Sequence, residues 1–516
     1  MRDWQNEIVV KAGAAAERRI LLGLAAFAMV WAIVRAHVQA ITIDEAVTAV
    51  NFVLPDAPTW WTPHANNHIL NSVLMRIFTG LFGVSNLAIR SGALIGAAIF
   101  IAASYFLSAL IDRSFLLRAS LFICLVFNPF MFDFLVAARG YALASGFLLS
   151  AICLVAYAKR TPARASYRSL LVACGLASAC VALSLLSNFP FAFVDGATIV
   201  MLYLWASGGT SLRKRAELAI ACFLPVLLMA AALTPLLLRW REPLTFGAAS
   251  LSDTANSLYQ ASFYELNPSL SDLIFVDVPA IALTLIGILL AWRLVLVLIH
   301  WRSLGNAQGR WSLAFAIVPM VAVAAALFAH LVFFRLTRTP LPKDRTGIYV
   351  VVLLTLFLGG LAAVPIPTRA GDLSRRGLTI LMAIVGSYFL LCLRVNYFKE
   401  WKFDSDIDKV YSVLAYYNHA CGLKDIAVNW RYDGGLNYYR VISARETFPR
   451  FPFNGEYPAG KRAYVLYQPE DRNFLRDRNL SLVYQAPSGA AIALDAGIEP
   501  PPGESACPIT LPNQSK

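Results

Sequence analysis

The sequence predicts a polytopic α-helical membrane protein, with about 11 transmembrane helices and a small C-terminal α/β domain outside the cytoplasm. Three observations carry this. Of 516 residues, 58% are hydrophobic and only 15% charged, where a soluble domain carries about 25% charged residues. Apolar runs long enough to cross a bilayer recur from Ile20 to Leu393. Charged residues fall between those runs, as a hydrocarbon solvent requires.

The expected spans are 18–38, 87–111, 116–132, 140–158, 168–187, 189–206, 217–238, 276–299, 312–334, 347–365 and 378–396. The first continues from Ile20 toward Ala40 without a small-residue cleavage site, so it reads as a start-transfer helix and not a cleaved signal. His68–Gly83 is apolar but short and carries Arg76, which suits a helix at the outer interface or re-entering it.

The net charge is +13. With no nucleic-acid motif in the chain, this excess belongs to topology. The N-terminal segment holds Lys11, Arg18 and Arg19, and Arg113, Arg118, Lys159, Arg160, Arg164, Arg168, Arg213, Lys214, Arg215, Arg302, Arg310, Arg369, Arg375 and Arg376 lie in or at the edges of every second connection. The positive-inside rule makes these cytoplasmic. An odd number of spans then puts the N-terminus in the cytoplasm and the C-terminal domain outside it. Residues 1–398 form the membrane domain, with outer loops 39–86, 239–275 and 335–346, and residues 399–516 the soluble one. The loop 335–346 is basic, with Arg335, Arg338, Lys343 and Arg345, yet it lies on the outer side. A local breach of the rule calls for a functional reason.

From Asn396 the composition changes. Ile407, Val410, Tyr411, Leu414 and Tyr417 have helical spacing, and β-type runs follow at Ile426–Trp430, Ala463–Tyr467, Leu480–Tyr484 and Ala491–Leu494. Of eight cysteines, six lie in apolar spans, where cysteine acts as a small hydrophobe. Cys421 and Cys507 lie in the soluble domain and are candidates for a disulfide. No Cys/His spacing indicates a metal site.

Four polar elements at the outer rim are candidates for chemistry. Thr42-Ile43-Asp44-Glu45-Ala46 sets two acids directly after the first span. They are either solvated loop charges or a base and its helper, since a carboxylate at a partly dry rim can have a raised pKa. Pro63-His64-Ala65-Asn66-Asn67-His68 offers donors for a sugar or phosphate, or is an interfacial turn with a capping Asn. Asp133 and the run Ala138-Arg139-Gly140-Tyr141 come next, and an arginine near hydrocarbon needs an anion, from Asp133, Asp44 or a lipid phosphate. The fourth is the basic outer loop, which suits anionic headgroups or a phosphate leaving group. In the soluble domain, the aromatics from Trp430 to Tyr439 are either core or a stacking surface for sugar rings.

In order, spacing and common side, these elements resemble the membrane-embedded GT-C glycosyltransferases, which include the protein O-mannosyltransferases and the aminoarabinose transferases. Asp44-Glu45-Ala46 resembles the family's first-loop acid motif. His68-Ile69-Leu70 stands where many members have His-Pro-Pro-Leu, without the two prolines, so the chain resembles a divergent bacterial branch. Ala138-Arg139-Gly140-Tyr141 is similar to an Ala-Arg-x-Tyr element. The resemblance covers roughly residues 20–400.

It implies a multi-pass protein of the bacterial inner (plasma) membrane. A polyprenyl-phosphate sugar would donate to an envelope lipid, polysaccharide or protein acceptor on the outer face, with inversion. Asp44, Glu45 and Asp133 are the implied catalytic acids, with Asp44 as base and the other two orienting groups or holding a divalent ion. Arg139, Arg338, Lys343 and Arg345 would bind the donor phosphate. His64, Asn66, Asn67, His68 and Tyr141 would contact the sugar. No essential metal or other cofactor is expected. The competing readings are a lipid or glycan transporter or flippase, and a non-catalytic assembly factor. A transporter calls for ionisable groups within the spans, where Arg293 is the plainest.

Overall fold

The computed structural model describes residues 2–54, 64, 67–111, 114–160, 166–239, 246–263, 277–305, 307–443, 448–452, 456–502 and 505–508. Among the described residues, nine helices are long and apolar enough to cross a membrane, or ten if one bent pair is a single span. The helices in chain order begin with α1 (Arg2–Val38), α2 (Ile43–Thr48), α3 (Ile69–Phe82), α4 (Asn86–Ile111), α5 (Phe115–Val126) and α6 (Pro129–Val136). They continue with α7 (Tyr141–Arg160), α8 (Tyr167–Ser187), α9 (Ala192–Ser207), α10 (Leu212–Leu237), α11 (Leu251–Ser262), α12 (Val278–Ile299), α13 (Ala307–Thr337), α14 (Ile348–Ala362) and α15 (Arg369–Leu391). α15 carries Arg375 and Arg376 near its start, and its 23 residues reach about 34 Å, enough to cross.

The helix ends follow local chemistry. The expected span 116–132 is not one helix. Asn128 accepts the Phe130 and Met131 amides and Pro129 takes the first helical position, so α5 ends and α6 restarts at 56°. α3 remains a short apolar helix with Leu81 and Phe82 exposed, consistent with the interfacial reading. α4 and α7 pack closely because Gly96 lets them. A Cβ there would lie 2.3 Å from the Leu143 amide nitrogen.

The N-terminal ends of α4, α7 and α14 gather with the C-terminal ends of α1 and α15. The connections beyond α1 and α15, the α6–α7 turn and the loop before α14 therefore meet at one end of the bundle. The loops there are built structures. Ala248 and Leu341 exchange both backbone hydrogen bonds, and Ser257 of α11 accepts the Asp344 amide.

After α15 comes an α/β domain: α16 (Ile407–Cys421), β1 (Ile426–Val428), α17 (Asp433–Ile442), β2 (Ala463–Tyr467), α18 (Gln468–Asp477), β3 (Ser481–Gln485) and β4 (Ala490–Leu494). The sheet order is β1-β2-β4-β3, with β1 parallel to β2 and the remaining pairs antiparallel. Alternation assigns its faces. Val428, Val465 and Ile492 pack with α16, whereas Tyr464, Leu466 and Ala493 pack with Phe474 and Leu475 of α18. Cys421 and Cys507 are joined by a disulfide, with Cα atoms 5.1 Å apart.

The α16 face does not stop at the domain. Its apolar cluster continues through Ala40, Ile41, Ala46, Phe52, Met75 and Ile89. α17 packs on α2, where a Cβ at Gly434 would sit 3.0 Å from Ile43, and Asp404 accepts the Ile43 amide at 2.7 Å.

Candidate active site

α2 is one and a half turns long and would not persist alone. It is held by a capping box: Thr42 accepts the Glu45 amide, and the Glu45 carboxylate accepts the Thr42 amide. Glu45 is wholly buried. Its two oxygens accept from Arg90 Nε at 2.9 Å and Nη2 at 2.7 Å, and Oε1 also accepts the Ala138 amide at 2.8 Å. Arg90 also donates to the carbonyls of Ala36, Gln39 and Ala40. Burial opposes ionisation of Glu45, but Arg90 and the amides outweigh it and hold its pKa low. With its oxygens committed in this way, Glu45 ties α1, α2, α4 and the α6–α7 turn together.

Asp44, the next residue, points elsewhere. Its Oδ2 lies 3.1 Å from Arg345 Nη1 and 3.7 Å from Arg139 Nη2. The Trp401 side chain beside it also favours the charged form. Burial raises its pKa, and the two guanidinium groups more than reverse this, leaving it below the ordinary carboxylate value. Asp44 is therefore ionised at neutral pH. Arg345 also pairs with Glu400 and lies over the Phe246 ring, 4.6 Å from its centroid. Arg139 additionally donates to Thr48 Oγ1 at 3.1 Å.

Glu400 has the opposite electrostatics. Burial pushes its pKa up to about 7, the nearby Asp44 adds to the rise, and Arg345 opposes it. Glu400 lines a cavity of about 250 Å³ with Phe130, Phe134, Gln260, Lys399 and Trp401. It was not among the sequence candidates. The shift from apolar span to polar segment at Asn396 was visible, but nothing in the sequence joined that segment to Asp44.

Asp133 holds this segment in place. It pairs with Arg35 at 2.7 Å and with Arg394, and accepts the Lys399 amide at 2.9 Å. Its partners are thus scaffold cations. Arg139 pairs with Asp44.

His68 precedes α3 and is buried, with its ring 5.7 Å from that of Tyr141. Its Nε2 has no hydrogen-bond partner among the described residues. Burial, then the charges of Arg139 and Arg345, hold its pKa well below the usual value, so the imidazole is neutral. Gly140 makes this packing possible. Its φ is +73°, and a Cβ would lie 2.2 Å from the Ser187 carbonyl oxygen and 3.1 Å from His68 Cβ.

The other sequence candidates are dispersed. Asn67 accepts from Ser72, and His64 lies 5.5 Å from the Phe52 ring. Asn66 falls outside the described residues. Of the basic outer loop, Arg345 enters the cluster, Arg338 is exposed, and Lys343 is half-buried at the start of a short 3-10 turn. No group of three or more His, Cys, Asp or Glu side chains able to hold a metal occurs among the described residues.

The chain matches no protein-family model and no curated protein. Solved structures are informative. The chain is similar to ArnT from Cupriavidus metallidurans bound to undecaprenyl phosphate, with a TM-score of 0.51 and 11% identity, covering 92% of this chain and 98% of that one. The fold is that of the GT-C membrane glycosyltransferases. The same ArnT in its apo state gives a TM-score of 0.42 at 10% identity, covering 94% of this chain and 100% of that one. The GT-C fold gives the Asp44 cluster its setting, at one end of a multi-pass bundle and beneath a small α/β domain.

Proposed function

We propose that this protein is an integral membrane glycosyltransferase of the bacterial inner membrane. It moves a sugar from a polyprenyl-phosphate donor to an acceptor on the extracytoplasmic face, with inversion. The observation that carries the reading is the Asp44–Arg345–Glu400 cluster, with Arg139 beside it, at the loop end of a GT-C bundle. The structural relative bound to undecaprenyl phosphate supports the donor class. The basic residues of alternate connections support the orientation, with the C-terminal domain outside.

The charges divide the labour. Arg139 and Arg345 present guanidinium groups near one point, suited to a phosphate whose negative charge grows as its bond to the sugar breaks. Asp44, ionised throughout, holds both cations in place until the donor arrives. Glu400 is the better proton acceptor, because a base is most effective with a pKa near the working pH. The acceptor hydroxyl gives its proton to Glu400 as its oxygen attacks the anomeric carbon. The bond from that carbon to the phosphate oxygen breaks, and polyprenyl phosphate leaves with the electron pair. Neutral His68 can hydrogen-bond the sugar or phosphate through Nε2 without adding charge. The 250 Å³ cavity bordered by Glu400 and Trp401 is where the acceptor end would enter.

The test uses purified full-length protein in lipid, labelled polyprenyl-phosphate sugars and an extract of envelope acceptors. Wild type should release polyprenyl phosphate and label an acceptor. Asp44→Asn and Glu400→Gln should each remain folded and lose about 100-fold or more in turnover, the scale of general-base and charge-stabilising groups. Full turnover in both variants, or no transfer by wild type across a broad donor panel, would overturn the reading.

A further inference from the structure

At the opposite end of the bundle from Asp44 lies a second cavity, of about 600 Å³. It is bounded by the C-terminal ends of α4, α7 and α14 and the start of α15, with Ser303 from the α12–α13 connection and Gln308 from the first turn of α13. Three cations line it, Arg160, Arg293 and Arg375, against one carboxylate, Asp372. Its remaining wall is apolar: Ile111, Val364, Pro365 and Ile366.

The cavity wall is built and held. Arg293 is wholly buried and donates to the carbonyls of Leu361, Ala362, Val364 and Gly371 and to Ser374 Oγ. It thereby caps the C-terminal end of α14 and ties it to the first turn of α15. Arg160 is stacked on Trp311, 4.4 Å from the ring centroid. Arg375, whose side chain is about a third exposed, reaches Asp372 at 3.4 Å. Next to this cavity the end of α12 exposes Leu298 and Ile299, and the turn that follows it exposes Trp301, an apolar edge ending in an aromatic residue. That sequence of side chains marks the boundary between hydrocarbon and headgroups. The cations therefore stand at headgroup depth, beside an apolar wall.

We propose that this cavity is a binding site for the anionic phosphate headgroup of a membrane lipid, on the face away from the Asp44 cluster. The phosphate lies between Arg160 and Arg375, with the buried charge of Arg293 behind it and Ser303 and Gln308 as hydrogen-bond donors. The start of the acyl chains lies along Ile111, Pro365 and Ile366. Basic pockets between helices on the cytoplasmic side commonly take such headgroups. This site is independent of the transfer reaction, so its test needs no activity.

The test titrates the full-length protein in neutral detergent with short-chain phosphatidylglycerol, short-chain phosphatidylcholine and inorganic phosphate, measuring Kd. Three variants accompany wild type. Arg160→Gln with Arg375→Gln removes two cations. Gln308→Glu places a carboxylate at an exposed position of the cavity and keeps the fold if the double variant does not. Arg213→Gln removes an exposed cation elsewhere. Wild type and Arg213→Gln should bind phosphatidylglycerol saturably, at least ten-fold tighter than phosphatidylcholine. Gln308→Glu and the double variant should weaken it at least ten-fold. Inorganic phosphate that binds as tightly, with the same dependence on these residues, would support the site and assign it to a soluble phosphate. Equal phosphatidylglycerol affinity in wild type and Gln308→Glu, or equal affinity for the two lipids, would overturn the proposal.

Discussion

Replacing Arg90 by methionine removes the centre of the scaffold that places Asp44. Methionine keeps the length of the side chain without its charge. Five hydrogen bonds are lost, two to Glu45 and three to backbone carbonyls at the end of α1. Glu45 would then be a wholly buried carboxylate with only the Thr42 and Ala138 amides as partners. Breaking a buried pair by removing one partner costs about 3–5 kcal/mol, against a total stability of about 5–15 kcal/mol for a typical domain. The assay is thermal unfolding of purified variants in detergent, with gel filtration to check for monodisperse protein. Arg90→Met should lower Tm by several degrees or more, and transfer should fall with it. Glu45→Gln should also destabilise. The double variant Glu45→Gln with Arg90→Met should be less unstable than the sum of the singles, with a coupling of about 0.5–3 kcal/mol, as expected for directly interacting groups. Arg90→Met within about 0.5 kcal/mol of wild type, or strict additivity in the double variant, would refute the assignment of Glu45 to the scaffold.

Glu400 makes stability depend on pH. Its folded pKa of about 7 lies above the unfolded value of about 4.3, so the folded state holds the extra proton between those values. That contribution is fully present below the unfolded pKa and is lost as pH rises through about 7. Wild-type Tm should therefore fall between pH 5 and 7.5, and Glu400→Gln should flatten that slope. Transfer by wild type should rise over the same range as Glu400 loses its proton, and the variant should lose this rise. Arg345→Lys should reduce turnover at least ten-fold while the protein stays folded, since an ammonium cannot serve Asp44 and Glu400 and also stack on Phe246; assays on the purified variant check this. Gly140→Ala should destabilise by more than 1 kcal/mol, on the order expected for a side chain forced into positive φ, with the Ser187 carbonyl in the way; thermal unfolding reads it. Replacing Cys421 and Cys507 together by alanine opens a loop closed across 86 residues. Loop entropy sets that loss at about 4–5 kcal/mol for the C-terminal domain, and protease resistance of the domain is the measurement.

The bundle was legible because hydrocarbon imposes a coarse and strict code. The expected spans other than 116–132 each overlay an observed helix, nine or ten of the described helices are long and apolar enough to cross where about 11 were expected, and the expected strand at 463–467 is observed as Ala463–Tyr467. The break at Asn128-Pro129 falls inside the expected span 116–132, which was read through it as one helix. Two soluble helices, α17 and α18, were missed. Their short length gives few periods to read, and α18 buries no residue fully. Tyr432 and Tyr438 prove to be core, and Trp430 is partly exposed beneath Arg431. At the site, the Asp44–Glu45 pair was visible, but the division of labour within it was not. Which of two adjacent acids faces a buried arginine depends on where Arg90 arrives, and sequence proximity says nothing of that. Arg139 was read as an arginine in need of an anion, with its partner open between Asp133, Asp44 and a lipid. Glu400 was hidden for the same reason as Arg90, since its significance comes from Arg345, which a different loop supplies.

The continuous cluster from Ala46 and Phe52 to Leu414 and Val465 has a consequence for biosynthesis. A ribosome makes α2 near the start of the chain and β4 near its end. Until α16 and α17 have emerged and folded, the part of the α2 face that they cover stays open, and Ile43 lacks the Asp404 carboxylate that receives its amide. A nascent chain can insert its spans one by one, but its Asp44 cluster closes only once Glu400 and Trp401 have followed the last span.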